Sequence, residues 1–179
     1  MSLGKRHDVH DYLPMFKIDV RDGTLWRCDR VVDDVGNWSN SKTKVATEDF
    51  EAVFDLAGIQ TGWMLLSAGT APNFSKMVKP GEDIGEAPDG TFKEGFRLKF
   101  KLTNGAGDGV YELASPAVNL WKSVDELHTK FVEECGRHAG KLPIVAIDEF
   151  VRCGGRNGTY FRPIFKIVGW AKRPAELKS

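Results

Sequence analysis

A single helix-forming segment lies between two groups of strand-forming segments, and this order limits the folds that the chain can adopt. Within residues 116–136, apolar side chains recur every three or four positions and therefore share one face of a helix. Ser115 and Pro116 favour a helix start, because a serine hydroxyl can cap free N–H groups and proline loses no hydrogen bond at the first helical position. The residues predicted to face the core are Val118, Trp121, Val124, Leu127, Phe131 and Cys135.

Strand patterns flank this helix on both sides. The clearest covers residues 96–102, where strict alternation places Phe96, Leu98, Phe100 and Leu102 on one face and three basic residues on the other. Further strands are predicted over residues 15–20, 24–32, 50–56, 63–67, 110–114, 143–151 and 159–170. Residues 48–56 could alternatively form a short helix. Pro163 indicates that the last strand lies at a sheet edge or contains a bulge.

Segments rich in glycine, asparagine, serine or proline are predicted to connect the strands. Residues 34–43 have the composition of a loop, and residues 69–90 predict a mobile excursion over the surface. Residues 104–109 and 154–158 have the composition of hairpin turns.

Strands, one helix and then two more strands is the chain order of the five-stranded OB barrel. We therefore predict a mainly β protein, namely an OB-like barrel with the helix 116–136 between core strands and an extra hairpin at the N-terminus. The domain is expected to cover residues 13–174. Residues 1–12 are expected to be disordered, and their first three residues are compatible with a tag remnant. Other mixed α and β sheets would give the same order of elements.

The distribution of charge is more informative than its total. The net charge is zero, since 25 Lys and Arg residues balance 25 Asp and Glu residues, and this disfavours a partner bound only by bulk attraction to a polyanion. Residues 141–174 nevertheless contain seven basic side chains and two acidic ones. Any basic face is therefore expected mainly in the C-terminal third.

Composition also limits the cellular compartments in which the protein is expected. No stretch approaches the roughly 20 apolar residues of a membrane-spanning helix, so no membrane partner is predicted. Cys28, Cys135 and Cys153 lie far apart, which argues against a disulfide framework and against a zinc site built from cysteines. We predict a cytoplasmic protein.

Enzymatic motifs do not stand out. The four histidines form no HExxH pattern, and the sequence contains neither a GxSxG elbow nor a GxxxxGK[ST] phosphate loop. We therefore predict a protein that is not an enzyme and that needs neither a cofactor nor a metal. A site assembled from residues distant in sequence remains open.

Basic residues close to aromatic ones predict a different activity. Aromatic rings stack on nucleobases regardless of sequence, and cations follow the phosphates of a single strand. The predicted contacts are Arg97, Lys99, Lys101, Arg152, Arg156, Tyr160, Arg162 and Trp38. They could line one groove if their strands are neighbours. Alternatively, lysine and arginine on an exposed strand face only keep a protein soluble and discourage edge pairing.

Three segments near the C-terminus carry a resemblance to known proteins. Leu-Pro-Ile-Val-Ala at 142–146, Gly-Gly-Arg-Asn-Gly-Thr-Tyr-Phe at 154–161 and Pro-Ile-Phe-Lys-Ile-Val-Gly-Trp at 163–170 resemble phage and prophage proteins, including the OB-fold single-stranded DNA-binding proteins of phage replication modules. The resemblance begins near Gly95 and covers about half of the chain. It implies a protein that binds single-stranded DNA without strong sequence preference. The sequence leaves the oligomeric state open, and a homo-oligomer is one of the partners considered.

One departure limits what this resemblance implies. Many such proteins end in an acidic tail that recruits partners, whereas this chain ends in Ala-Lys-Arg-Pro-Ala-Glu-Leu-Lys-Ser. A role in recruiting a replication machine is therefore not implied. The alternative is a structural or assembly protein of a phage particle, which the zero net charge suits slightly better.

Overall fold

Strands dominate the fold, which confirms the predicted mainly β class. A computed structural model describes residues 13–67, 72–103, 109–156 and 158–177. The strands in these residues are β1 (Met15–Asp19), β2 (Thr24–Val32), β3 (Trp38–Val45), β4 (Glu51–Phe54), β5 (Gln60–Leu65), β6 (Asn73–Val78), β7 (Lys93–Leu102), β8 (Val110–Ser115), β9 (Lys141–Gly155) and β10 (Gly158–Lys172). The helix α1 (Val118–Glu134) lies between β8 and β9 in the chain. Residues 1–12, predicted to be disordered, lie outside the described residues, as does most of the predicted turn 104–109.

All ten strands belong to one sheet. Its main path runs β10, β9, β4, β7, β8, β1, β2, β3, while β5 pairs with β7 and with β6. Strands β1 and β8 are parallel, and the other pairings are antiparallel. The sheet is open at β10 and β3, so the strands do not close into the five-stranded barrel expected from the sequence. The N-terminal hairpin causes this difference, because β1 pairs with β8 and so becomes part of the sheet.

The sheet curls until β10 approaches the end of β1. The Phe161 N–H of β10 donates to the Val20 carbonyl, at the end of β1, with an N···O distance of 2.6 Å. Gly23 makes this approach possible, because it has a φ of +70° and a Cβ there would lie 3.2 Å from the Phe161 Cβ. The loop after β1 therefore requires glycine both for its backbone conformation and for contact with β10.

Aromatic rings fill the concave side of the curled sheet. Phe16 of β1 lies 5.0 Å from Tyr111 of β8 and 5.3 Å from Phe100 of β7, measured between ring centroids. Phe54 of β4 lies 5.2 Å from Phe100 and 5.7 Å from Phe165 of β10. These separations are typical of favourable aromatic pairs. Rings from five strands thus meet in one core.

The helix covers part of this core with a face slightly different from the predicted one. Ala117 is extended and precedes the first helical residue, and the Ser115 hydroxyl accepts a hydrogen bond from the Ala117 N–H. The helix therefore begins at Val118, two residues after the predicted start. Val118, predicted to face the core, is 82% exposed, whereas Leu120 is only 1% exposed. The other buried helix residues are Ser123, Val124, Leu127 and Phe131.

Two segments predicted to be loops contain strands. Residues 38–45 form β3, because backbone pairing with β2 outweighs their polar composition. Residues 73–78 form β6, which pairs with β5. The following segment is held in place by hydrogen bonds from Trp63 Nε1 to the Gly85 carbonyl and from Lys76 Nζ to the Glu86 carbonyl. The predicted surface excursion is therefore structured over much of its length.

Pro163 was predicted to mark either an edge strand or a bulge, and its strand lies at an edge of the sheet. It lies in β10, which forms one end of the main path of the sheet. Register shifts interrupt the pairing of β10 with β9 between Ile164 and Phe165 and between Ile167 and Gly169. The final two strands are also longer than predicted and form a hairpin from Lys141 to Lys172.

We expect the Leu120→Ala substitution to lower the free energy of unfolding by about 2–5 kcal/mol, because it removes a buried side chain and leaves a cavity. Val118→Ala is the matched control on the same helix and should change stability by no more than about 0.5 kcal/mol. Urea unfolding followed by circular dichroism measures both. Equal losses for the two variants would show that the face of α1 has been assigned incorrectly.

Candidate nucleic-acid interface

The basic residues predicted on β7 do lie on one side of the sheet. Arg97, Lys99 and Lys101 alternate with the buried Leu98 and Phe100, so their side chains point away from the core. We call this side of β1, β2, β3, β7 and β8 the outer face.

The strand register extends the outer face across five strands. Lys99 pairs with Glu112 of β8, which pairs with Met15 of β1. Met15 in turn pairs with Cys28 of β2, and Cys28 with Lys42 of β3. Paired residues of neighbouring strands lie on the same side of a sheet. The basic residues of the outer face are therefore Lys17, Arg30, Lys42, Lys44, Arg97, Lys99 and Lys101, and its carboxylates are Asp19 and Glu112.

Both carboxylates of the outer face are neutralised locally. Glu112 is only 4% exposed and accepts a hydrogen bond from Arg97 Nε at 2.9 Å. Asp19 binds the Arg21 guanidinium at 2.7 and 3.0 Å, and this hydrogen bonding lowers the pKa of Asp19 to about 2. Asp19 therefore stays ionised and paired. Among the described residues, Lys17, Lys42, Lys44 and Lys99 form no ion pair.

A tryptophan lies among these lysines. Lys42 Nζ lies 4.3 Å from the centre of the Trp26 ring, within the range of a cation–π interaction. The Trp26 Nε1–H donates to Thr24 Oγ1 at 2.9 Å, which fixes the orientation of the indole. Lys17 and Lys44 occupy the strand positions on either side of Trp26. The ring is therefore half-buried, oriented and surrounded by positive charge.

Cys28 occupies the position next to this tryptophan on the outer face. Burial raises the pKa of the Cys28 thiol, while the nearby ammonium groups of Lys17 and Lys42 oppose the shift. The thiol therefore adds no negative charge to the surface.

A cleft borders the outer face on its β5–β6 side. It has a volume of about 300 Å³ and is lined by Met15, Lys17, Leu66, Pro72 and Ala114 among others. On the same side, the Arg97 guanidinium lies 4.4 Å from the centre of the Phe74 ring of β6. Aromatic and apolar surface thus lies directly beside the basic residues.

The second group of predicted contacts lies on the β9–β10 hairpin. Arg152 is exposed and donates to Thr159 Oγ1 at 3.4 Å, Arg156 is exposed near the tip, and Tyr160 is half-buried. Strand β4 separates β9 from β7, so these residues do not lie on a strand adjacent to Arg97. The condition under which the two groups could line one groove, namely that their strands are neighbours, is therefore not met.

Two further predicted residues have different outcomes. Arg162 is only 13% exposed and donates to Glu126 Oε2 at 2.8 Å and to Ser123 Oγ at 3.4 Å. These contacts attach β10 to α1 and leave little of the guanidinium available to a ligand. The backbone of Trp38 begins β3 opposite Val32, and its side chain lies outside the described part of the structure.

Neither Lys17 nor Trp26 was among the contacts predicted from the sequence. The alternation of residues 24–32 places Trp26 opposite the buried Leu25, and this signal could have assigned it to a polar face. Lys42 lies in the segment 34–43 that was predicted to be a loop, and Lys44 follows that segment, so the sequence did not predict a strand for either lysine. Their proximity to β7 depends on pairings between strands that are distant in sequence.

Other kinds of site receive no support in the part of the chain that the structure describes. It contains no group of three or more His, Cys, Asp or Glu side chains placed to hold a metal ion. It also contains no helix with the length and apolar character needed to cross a membrane.

Comparison of the chain with protein-family models, with curated proteins and with solved structures found no match. The functional assignment therefore depends on the geometry of the outer face.

We expect Glu126→Gln to lower the free energy of unfolding by about 1 kcal/mol near neutral pH, an estimate reduced for the partial exposure of Glu126. The Arg162 guanidinium holds the pKa of Glu126 below its ordinary value. The stabilisation should therefore be present above the ordinary pKa of a glutamate and disappear as the pH falls through the lowered value. Urea unfolding near pH 7 and near pH 3 measures the difference.

Glu133→Gln provides the control for this pair. Glu133 is an exposed carboxylate on the same helix and, among the described residues, forms no ion pair. Its substitution should have little effect at either pH. A loss for Glu126→Gln that persisted undiminished at low pH would contradict the assigned role of the pair.

Proposed function

We propose that this protein binds single-stranded DNA on the outer face of its sheet, as an OB-like protein of a phage or prophage. The observation that carries the proposal is the Trp26 indole, which lies under the Lys42 ammonium and between the positions of Lys17 and Lys44. A base stacked near this ring would bring its phosphate within reach of several ammonium groups. Stacking combined with phosphate contacts is how proteins bind single strands without strong sequence preference.

The dimensions and charge of the outer face support the same proposal. Five strands about 4.8 Å apart span about 19 Å, which is enough for a short oligonucleotide. The only two carboxylates assigned to this face by the described strand pairing are already paired with arginines. Lys17, Lys42, Lys44 and Lys99 therefore retain their attraction for phosphate even though the whole chain has no net charge. Lys101 differs, because its ammonium binds Glu176 Oε1 at 2.9 Å.

Strand pairing supports an OB-like relationship. Strands β4, β7 and β8 pair consecutively, α1 follows, and β9 pairs with both β4 and β10. An OB barrel has this arrangement for its five strands, except that its fifth strand approaches the third. Here β1 occupies that gap, pairing with β8 and reaching β10 through the bond between Val20 and Phe161.

In OB folds, the second and third strands and the loop between the last two strands bind oligonucleotides. With β4 taken as the first strand, β7 and β8 become the second and third. Arg97, Lys99 and Lys101 then lie on the expected binding strands, and Arg156 lies near the end of the expected loop. The β9–β10 hairpin would thus contact DNA at one end of the outer face rather than in a shared groove.

We expect Lys42→Ala and Lys99→Ala each to weaken binding of oligo-dT and to reduce its salt dependence. Loss of one phosphate contact should decrease the slope of log K against log salt by about 0.7 for a single strand. Anisotropy of a labelled oligonucleotide at several salt concentrations measures both quantities. The control is Lys130→Ala, which removes an exposed lysine of α1 on the other side of the sheet.

Two results would overturn the proposed function. One is the absence of salt-dependent binding to oligo-dT at low ionic strength. The other is an equal loss of affinity for Lys130→Ala and Lys99→Ala, because binding would then depend on total charge rather than on the outer face.

We expect Trp26→Leu to cost about 1–3 kcal/mol of binding free energy, because leucine cannot stack on a base. Trp26→Phe should retain a large part of the affinity, since it keeps an aromatic ring. Trp121→Phe, on the helix side of the sheet, should leave oligo-dT binding unchanged. Equal affinities for Trp26→Leu and the unmodified protein, with both folded by circular dichroism, would exclude Trp26 as a stacking residue.

A further inference from the structure

A second cavity lies on the opposite side of β7 from the outer face. It has a volume of about 310 Å³ and lies between β5, β7, α1 and the segment of residues 80–84. Its apolar lining includes Ile59, Phe96 and Val124, which are all at least 95% buried. Glu94 and Phe96 alternate along β7 with Arg97 and Lys99, which explains why this cavity and the outer face lie on opposite sides.

The polar part of the cavity lining is acidic. Glu82, Glu94 and Asp125 contribute carboxylates, and His128 is the remaining titratable residue in the lining. Within the described ranges, none of the three carboxylates forms an ion pair. Among the described residues, no group of three or more His, Cys, Asp or Glu side chains is placed to hold a metal ion. The unpaired carboxylates make the lining complementary to a positively charged ligand.

An aromatic side chain completes the lining. Trp121 of α1 borders this cavity. Trp121 also lines a neighbouring cavity of about 550 Å³, as do Glu94 and Asp125. Lys122 lines only the neighbouring 550 Å³ cavity, so a cation is expected to prefer the 310 Å³ cavity. The two cavities share Glu94, Trp121 and Asp125 in their linings, and their volumes provide room for a charged side chain and for the backbone that carries it.

Hydrogen bonds and ring packing hold the walls of the cavity in place. The Glu82 N–H donates to the Lys79 carbonyl at 3.1 Å, and the segment is further held by the bonds of Gly85 to Trp63 and of Glu86 to Lys76. On the other side, the Phe96 and Trp121 rings contact each other edge to face at 6.1 Å. Little rearrangement is therefore needed to bind a ligand, which reduces the cost of binding.

We propose that this cavity binds an arginine side chain from an extended segment of a partner protein. The guanidinium is planar, so it can stack on Trp121 while donating paired hydrogen bonds to the carboxylates. The methylene groups of the arginine can pack against the apolar lining formed by Ile59 and Val124. This binding does not depend on the proposed DNA-binding function, because it uses the other side of the sheet.

The test is a titration of the intact protein with blocked tripeptides of glycine–X–glycine, where X is arginine, lysine or the neutral isostere citrulline. The readout is the indole N–H signal of Trp121 in two-dimensional NMR, identified by its absence from Trp121→Phe. We expect a saturable shift with the arginine peptide, a weaker interaction with lysine, and no saturation with citrulline up to about 10 mM.

Matched variants locate the site. The Glu94→Gln/Asp125→Asn double substitution should weaken arginine binding at least about fivefold, because charge-assisted hydrogen bonds are lost. Glu133→Gln, on the exposed side of the same helix, should leave it unchanged. Equal binding of citrulline and arginine, no saturable shift with arginine, or an unchanged affinity in the double variant would each overturn the proposal.

Discussion

The cluster of aromatic rings around Phe100 is the constraint on which the rest of the structure depends. Phe16, Phe54 and Tyr111 contact Phe100 from strands β1, β4 and β8, and Phe165 reaches Phe54 from β10. A flat sheet could not bring these strands together, because β10 and β1 lie five pairings apart on its main path. Burial of the rings therefore requires the sheet to curl, and the curl brings Phe161 to Val20.

Alternation along β7 separates the two charged regions. Alternate residues of β7 point either toward the core and α1 or away from it, so Glu94 borders the acidic cavity while Arg97 and Lys99 belong to the outer face. One strand thus supports an acidic surface on one side and a basic surface on the other. The zero net charge of the chain conceals this arrangement, because attraction for a ligand depends on the local field.

The candidate interface could be predicted from the sequence only in part. Alternation identified Arg97, Lys99 and Lys101 as one face, since the period of a strand is encoded locally. Lys42 and Trp26 reach that face only through the pairing of β1 with β8, which joins segments almost a hundred residues apart. Arg162 was predicted to contact a phosphate because it is a basic residue near aromatic ones. In the structure it binds Glu126 instead.

The sequence by itself determined the mainly β class, the position of the helix between strands, the alternating faces of β7 and the edge location of Pro163. Each of these depends on local periodicity or on the covalent chemistry of one residue. The tertiary structure decided which strands are neighbours, which side of α1 is buried and that residues 38–45 form a strand. These outcomes follow from non-local burial and backbone hydrogen bonding, which outweigh local propensity where the two differ.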